Sequence, residues 1–129
     1  MRPNEVSYKV IGAAMTVHSA LGAGLLESVY DRCLCFEFNR IGLQFQHQVR
    51  LSVNYEDLRL PAAYCVDFIV EKCVVVEIKC VEKLLPVHKA QLLSYLRLTR
   101  HTLGLLLNFK VPHLRDGIHR IINGPASEL

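Results

Sequence analysis

The chain has 129 residues, of which 51% are hydrophobic, and its formal net charge is +3. This length fits one domain with a modest core, and the apolar content excludes a largely disordered chain. A charge of +3 is compatible with nucleic-acid binding but does not by itself argue for it. No apolar run is long enough to span a bilayer, so we predict no membrane association.

Five cysteines occur, and none of them forms a CxxC pair. This pattern favours free thiols in a reducing, cytoplasmic compartment over a zinc or iron–sulfur site, which would need ligands at closer spacing.

Two helices are predicted in the first third of the chain. Residues 4–20 carry apolar side chains at three- and four-residue spacing, which is typical of a helix with one buried face. The segment 21–24 contains two glycines and breaks the chain. A second helix is predicted over about residues 25–40, with Gly42 as its stop signal.

Three strands are predicted next. Residues 45–53 alternate apolar and polar side chains, which predicts a half-buried strand with Phe45, His47, Val49, Leu51 and Val53 on one face. A turn is expected at residues 54–57. A second strand then ends near Val70, with Pro61 at a strand edge or bulge, and a third covers 73–81.

The last third of the chain alternates helix and strand. Pro86 suits the first turn of a helix over about residues 86–100. Residues 103–109 form an apolar strand, and Pro112 opens a last short helix through Ile122. The predicted order is therefore α-α-β-β-β-α-β-α, an α/β (mixed α+β) fold with a central mixed sheet flanked by helices.

Charged side chains interrupt two neighbouring apolar strands. Glu77 and Lys79 leave the third strand on the same face, because strand side chains alternate. Asp67 lies within the second strand. Two carboxylates on adjacent strands can hold a hard cation such as Mg²⁺ or Mn²⁺, with the lysine beside them. The alternative is an ordinary ion pair between Lys79 and one of the two acids.

Two helices offer further polar candidates. The helix over residues 86–100 is mostly apolar and is expected to be largely buried, yet Gln91 shares one of its faces with His88 and Tyr95. Gln91 either points at a metal-bound water or makes ordinary core hydrogen bonds. Glu27 is either a further metal-site acid or a first-turn carboxylate favoured by the helix dipole.

The sequence resembles a family of small proteins named after the signature GxxExxY. The signature occurs here as Gly24-Leu25-Leu26-Glu27-Ser28-Val29-Tyr30, and further matching segments follow in order along residues 5–122. These segments are His18, Leu21-Gly22, Asp67, Val76-Glu77-Ile78-Lys79, residues 82–96 and residues 104–109.

The resemblance implies a single domain over residues 1–129 that belongs to the PD-(D/E)xK nuclease superfamily, with a restriction-endonuclease-like fold. It implies that Asp67, Glu77 and Lys79 form the core site. Glu27 would be an acid contributed by a helix, and Gln91 an accessory polar residue. Asp67, Glu77 and Glu27 would then hold Mg²⁺ or Mn²⁺.

The sequence therefore predicts a metal-dependent nuclease that hydrolyses phosphodiester bonds in DNA or RNA. The alternative is a catalytically inactive nuclease-fold module that binds nucleic acid or a partner protein. A homodimer through the first two helices is a further possibility. The sequence assigns no role to Tyr30, His88 and Tyr95, and it leaves the role of His18 open, with a structural role favoured over that of a ligand.

Overall fold

The structure, a computed structural model, describes all of residues 1–129. Its helices are α1 (Pro3–Leu21), α2 (Glu27–Arg40) and α3 (Pro86–Thr99). Its strands are β1 (Phe45–Tyr55), β2 (Leu58–Val70), β3 (Val74–Lys79), β4 (Leu103–Asn108) and β5 (Ile118–Ile122). Short 3-10 turns occur at Leu114–Gly117 and Ala126–Glu128. None of the helices combines the length and hydropathy that a bilayer span requires.

One five-stranded sheet, in the order β1-β2-β3-β4-β5, forms the centre of the fold. Strands β3 and β4 are parallel and are connected through α3, whereas all other neighbours are antiparallel. The larger core lies between the sheet and helices α1 and α2, and a smaller core lies under α3 on the opposite face. The predicted mixed fold with helices on a central sheet is confirmed.

Strand β3 is apolar on both faces because both faces are covered. Val74, Val76 and Ile78 belong to the core under α1 and α2, and Val75 belongs to the core under α3. Alternation places Glu77 on the same face as Val75. The prediction of a charged residue within a buried strand is therefore confirmed, since Glu77 is only 6% exposed.

The predicted last helix is wrong, because Ile118–Ile122 forms β5. The apolar spacing from Leu114 to Ile122 resembles that of a helix. The buried strand β4, however, has main-chain groups on its outer side that need partners. Strand β5 supplies them by pairing antiparallel with β4 from Leu103 to Leu107.

Strand β1 does not keep its apolar side chains on one face, as its alternation had predicted. Phe45 packs against the core under α1 and α2, whereas Val49 and Leu51 belong to the core under α3. The change occurs at Gln48, whose φ of 53° lies in the left-handed region. The side-chain phase of the strand reverses there.

The predicted irregularity at Pro61 is confirmed. The register between β1 and β2 shifts between Leu51 and Val53, which pair with Tyr64 and Leu60. Ala62, beside the proline, has a φ of 51°. Proline cannot donate to a ladder, so the two extra residues of β2 at this point remove the need for that hydrogen bond.

Candidate active site

Asp67 exchanges hydrogen bonds with Glu77 and Ile78 of β3 at the point where β2 and β3 separate. Regular pairing between the two strands ends at Phe68 and Val76. Beyond that pair, the main-chain N–H of Asp67 donates to Oε1 of Glu77 at 2.8 Å. In return, the main-chain N–H of Ile78 donates to Oδ2 of Asp67 at 2.7 Å. The two carboxylates thus occupy positions that carbonyl oxygens take in a regular ladder, and each keeps a second oxygen.

Lys79 stands beside these acids without forming an ion pair. No carboxylate oxygen lies within 4.0 Å of its ammonium nitrogen, since the ion pairs of this structure involve other residues. The alternative of a simple ion pair with Asp67 or Glu77 is therefore not supported. The Lys79 charge is nevertheless close enough to lower the pKa values of Glu27, Asp67 and Glu77 in part.

Burial and neighbouring carboxylates raise the pKa values of both strand acids. Burial, followed by the charge of Asp67, raises the pKa of Glu77 to about 8. Burial is also the main cause of the raised pKa of Asp67, whose hydrogen bond from Ile78 acts in the opposite direction. Carboxyl groups that are desolvated together in this way are stabilised in their charged form by a nearby cation.

Glu27 is the first residue of α2 and faces the same acids. Its pKa is raised, first by partial burial of the carboxyl group and then by the charge of Asp67. A helix N-terminus by itself would favour the charged form, so the helix dipole is not a sufficient account of this residue. Glu27 and Asp67 line a polar cleft of about 310 Å³ together with Ser28, Asp31, Arg32 and Gln48.

Gln91 lies in a different groove, of about 640 Å³, between α3 and the β1–β2 hairpin. It makes no side-chain hydrogen bond to Asp67 or Glu77. Tyr95 shares this groove. Burial, and then the charge of Glu77, raises the pKa of Tyr95 to about 12, so its hydroxyl group is within electrostatic reach of the acids. Helix α3 is also less buried than predicted, since Val87 and Leu98 are exposed.

The sequence profile of the PD-(D/E)XK nuclease superfamily matches residues 4–121 of the chain. The chain belongs to this superfamily. The match extends from the start of α1 almost to the end of β5, so it includes every residue of the candidate site. Comparisons with curated proteins and with solved structures find no match. The narrower assignment to the GxxExxY family stays a prediction.

In this PD-(D/E)XK protein, the tyrosine of the GxxExxY segment fixes the loop before α2. The Tyr30 hydroxyl donates to the carbonyl oxygen of Gly22 at 2.5 Å and accepts from the N–H of Leu25 at 3.1 Å. Its ring is buried and stacks on Phe109 at 4.5 Å between centroids. Tyr30 therefore holds the turn that places Glu27 at the cleft.

We expect Tyr30→Phe to lower the free energy of unfolding by about 1–2 kcal/mol, because two loop groups lose their partner. Urea denaturation measures this change. Tyr55→Phe is the matched control, since Tyr55 is 69% exposed and its loss should cost less than about 0.5 kcal/mol. Equal effects of the two substitutions would contradict the assigned role of Tyr30.

Two histidines have structural contacts. The Nδ1 atom of His88 accepts a hydrogen bond from the N–H of Leu85 at 3.0 Å and closes the first turn of α3. His18 contacts the carbonyl oxygen of Val111 through Nε2 at 2.9 Å, which ties the end of α1 to the segment after β4. The structural interpretation of His18 agrees with these contacts.

Gln48 and Asp31 are polar site residues that sequence reasoning missed. The Gln48 side-chain nitrogen donates to Oδ2 of Asp31 at 3.1 Å and to Oδ1 of Asp67 at 3.3 Å. Asp31 follows Glu27 by one helical turn, so i,i+4 spacing could have placed it on the same face. No sequence signal marked Gln48, because its position depends on the left-handed backbone at that residue.

The carboxylates of the candidate site are ligands of the kind that a hard divalent cation takes. Asp67 and Glu77 provide carboxylate oxygens that are not used by main-chain donors, and burial is the main cause of the raised pKa of each group. The ligand oxygens of Glu27, Asp67 and Glu77 do not all lie within 4.8 Å of one another. The group that does meet this spacing is Asp31, Cys35 and His47.

Proposed function

We propose that this chain is a nuclease that hydrolyses phosphodiester bonds in DNA or RNA with Mg²⁺ or Mn²⁺, and that residues 1–129 act as one nuclease-like domain. The observation that carries the proposal is the pair Asp67 and Glu77, which converge where β2 and β3 separate, with an unpaired Lys79 beside them. Superfamily membership supports the same reaction class.

In this proposal the two strand acids hold the cation and Glu27 assists from the start of α2. A bound Mg²⁺ or Mn²⁺ polarises the phosphodiester and lowers the pKa of a coordinated water. The exchanged hydrogen bonds between Asp67 and β3 fix the carboxylates before substrate arrives, so little reorganisation is needed during reaction. This preorganisation is the contribution of the fold.

Lys79 has the role of a cation that is free to act on substrate. Because no carboxylate pairs with it within 4.0 Å, its ammonium group can orient the attacking water or stabilise charge on the phosphate. Gln91 acts as an accessory polar residue from the neighbouring groove, which it shares with Tyr95. Arg32 lines the polar cleft and supplies a positive charge for a substrate phosphate.

The state of the cysteines bears on the compartment in which the reaction takes place. All five cysteines are free, which favours a reducing, cytoplasmic compartment.

Tyr8, at 81% exposure on α1, and Phe36, at 65% on α2, leave apolar surface that a second copy or a partner protein can cover.

A second candidate is the catalytically inactive module that binds nucleic acid or a partner protein. The observation that favours it is that both strand acids already serve the fold, since each accepts a main-chain hydrogen bond that joins β2 to β3. These two hydrogen bonds would be retained in a protein that catalyses no reaction. A module of this kind would bind nucleic acid in a salt-dependent manner and leave it intact.

The deciding experiment is a cleavage assay on single- and double-stranded DNA and RNA with Mg²⁺, Mn²⁺ or EDTA. We expect cleavage by the wild type in either metal, none in EDTA, and a loss of about a hundredfold in Lys79→Ala. Lys83→Ala is the matched control, because Lys83 is exposed in the loop after β3 and should retain full activity.

Two results would contradict the nuclease. Binding of nucleic acid without cleavage in any metal would favour the inactive module. Cleavage that persists undiminished in Lys79→Ala would point to a contaminant or to another site.

A further inference from the structure

Three side chains with different ligand atoms meet where α2 crosses β1. Asp31 and Cys35 are one turn apart on α2, and His47 comes from β1. A carboxylate oxygen, a sulfur and an imidazole nitrogen of these residues all lie within 4.8 Å of one another. No other group of three or more potential ligands in the chain is this compact.

The surroundings of the three side chains hold them in place. The Asp31 side chain is 12% exposed, and its Oδ1 lies 2.6 Å from Nε2 of His47. Its other oxygen accepts a hydrogen bond from Gln48 at 3.1 Å. The His47 ring stacks on Phe68 at 4.9 Å between centroids. Polar groups behind metal ligands commonly orient them in this way, and their loss weakens binding.

The donor types select a class of cation. Mg²⁺ and Mn²⁺ prefer oxygen ligands, whereas a set of one nitrogen, one oxygen and one sulfur suits Zn²⁺ and similar ions. Zinc–ligand bonds of about 2.0–2.3 Å place tetrahedral ligands roughly 3–4 Å apart, which the present spacing reaches with small side-chain movements. Three protein ligands leave a fourth position for water.

We propose that Asp31, Cys35 and His47 form a binding site for Zn²⁺ or a similar borderline-soft divalent cation. Binding would form a bond from the metal to the Cys35 sulfur and release the thiol proton to solvent. It would also replace the contact between His47 and Asp31 by two bonds to the metal, and the proton that Nε2 shares with Asp31 would move to Nδ1 of the ring or to solvent. Its three ligands are not the acids of the proposed nuclease centre, but Asp31 lines the same cleft as Glu27 and Asp67, and Gln48 contacts both Asp31 and Asp67.

The proposed site differs from what the cysteine spacing had predicted. Cysteine spacing argued against a zinc site, because that argument considered ligands close together in sequence. In the structure Cys35 and His47 are brought together by the packing of a helix on a strand, twelve positions apart, and no spacing rule for cysteine pairs covers that arrangement.

The test uses Co²⁺ as a spectroscopic substitute for Zn²⁺ with the full chain. A cobalt–thiolate bond adds charge-transfer absorption in the near ultraviolet, so the sulfur ligand is observed directly. We expect this absorption in the wild type and in Glu77→Gln, which alters only the proposed nuclease centre. We expect Cys35→Ser to abolish it, and His47→Gln to weaken Co²⁺ binding at least about tenfold. Added Zn²⁺ should displace the cobalt.

Two matched controls identify the sulfur. Cys33→Ser changes a thiol on the same helix, and Cys65→Ser changes the thiol that contacts Gln48 at 3.4 Å. Both variants should keep the absorption. Its absence in the wild type, its persistence in Cys35→Ser, or its loss in either control would overturn the proposal. The result does not depend on cleavage, so it stands or fails separately from the nuclease.

Discussion

Replacing Asp67 with asparagine is expected to lower phosphodiester cleavage roughly a thousandfold while the protein stays folded. A carboxylate that holds a catalytic cation contributes several kcal/mol to the transition state, and each 1.4 kcal/mol is about tenfold in rate. The asparagine side-chain oxygen can still accept the hydrogen bond from the Ile78 N–H. Rate measurements at saturating Mn²⁺, together with a urea denaturation curve, separate the two effects.

Asp67→Ala provides the comparison that shows which role is lost. Alanine removes the acceptor as well as the charge, so the buried Ile78 N–H loses its partner at a cost of about 1–3 kcal/mol. We therefore expect both variants to be inactive and only the alanine variant to be clearly less stable. Full activity in Asp67→Asn would contradict the assignment of Asp67 as a metal ligand.

The stability of the metal-free protein is expected to fall as pH rises from about 4.5 to about 8. The pKa of Glu77 is raised from 4.5 to about 8, first by burial and then by Asp67. Between these values the folded state binds more protons than the unfolded state, so the free energy of unfolding decreases with pH. One pKa unit corresponds to about 1.4 kcal/mol, so the total loss should be several kcal/mol.

Glu77→Gln tests this expectation, because glutamine cannot ionise. In EDTA, its urea midpoint should change much less between pH 5 and pH 9 than that of the wild type, and it should be the more stable protein at pH 9. Glu56→Gln in the exposed hairpin turn is the control and should follow the wild type. Added Mg²⁺ should restore stability at pH 9 to the wild type only. Parallel pH curves for wild type and Glu77→Gln would disprove the raised pKa.

Local patterns were sufficient to predict the central part of the molecule. The valine-rich strand with Glu77 and Lys79 predicted a buried strand with two charges on one face, and the structure places Glu77 there. Asp67 was predicted as its neighbour because antiparallel strands joined by a tight turn must lie side by side. The exchange of hydrogen bonds between them depends on where the strands separate, which alternation does not encode.

Tertiary contacts decided the features that sequence reasoning missed. The segment 112–122 has apolar residues at helical spacing, yet the open side of β4 made it a strand. A single left-handed residue, Gln48, reversed the side-chain phase of β1 and turned Val49 and Leu51 toward α3. Gln91 was expected to point at the metal site, and it lines the groove between α3 and the β1–β2 hairpin together with Tyr95. Its accessory role stays a prediction.

The left-handed backbone at Gln48 also has a consequence for association between molecules. Strand β1 lies at one edge of the sheet, and its eleven residues leave a long row of unpaired main-chain groups open to solvent. An uninterrupted edge of that length is a template on which another chain can add a strand. The distortion at Gln48 divides the edge into two shorter stretches with different orientations. We therefore expect the distortion to disfavour intermolecular strand pairing along the whole length of this edge.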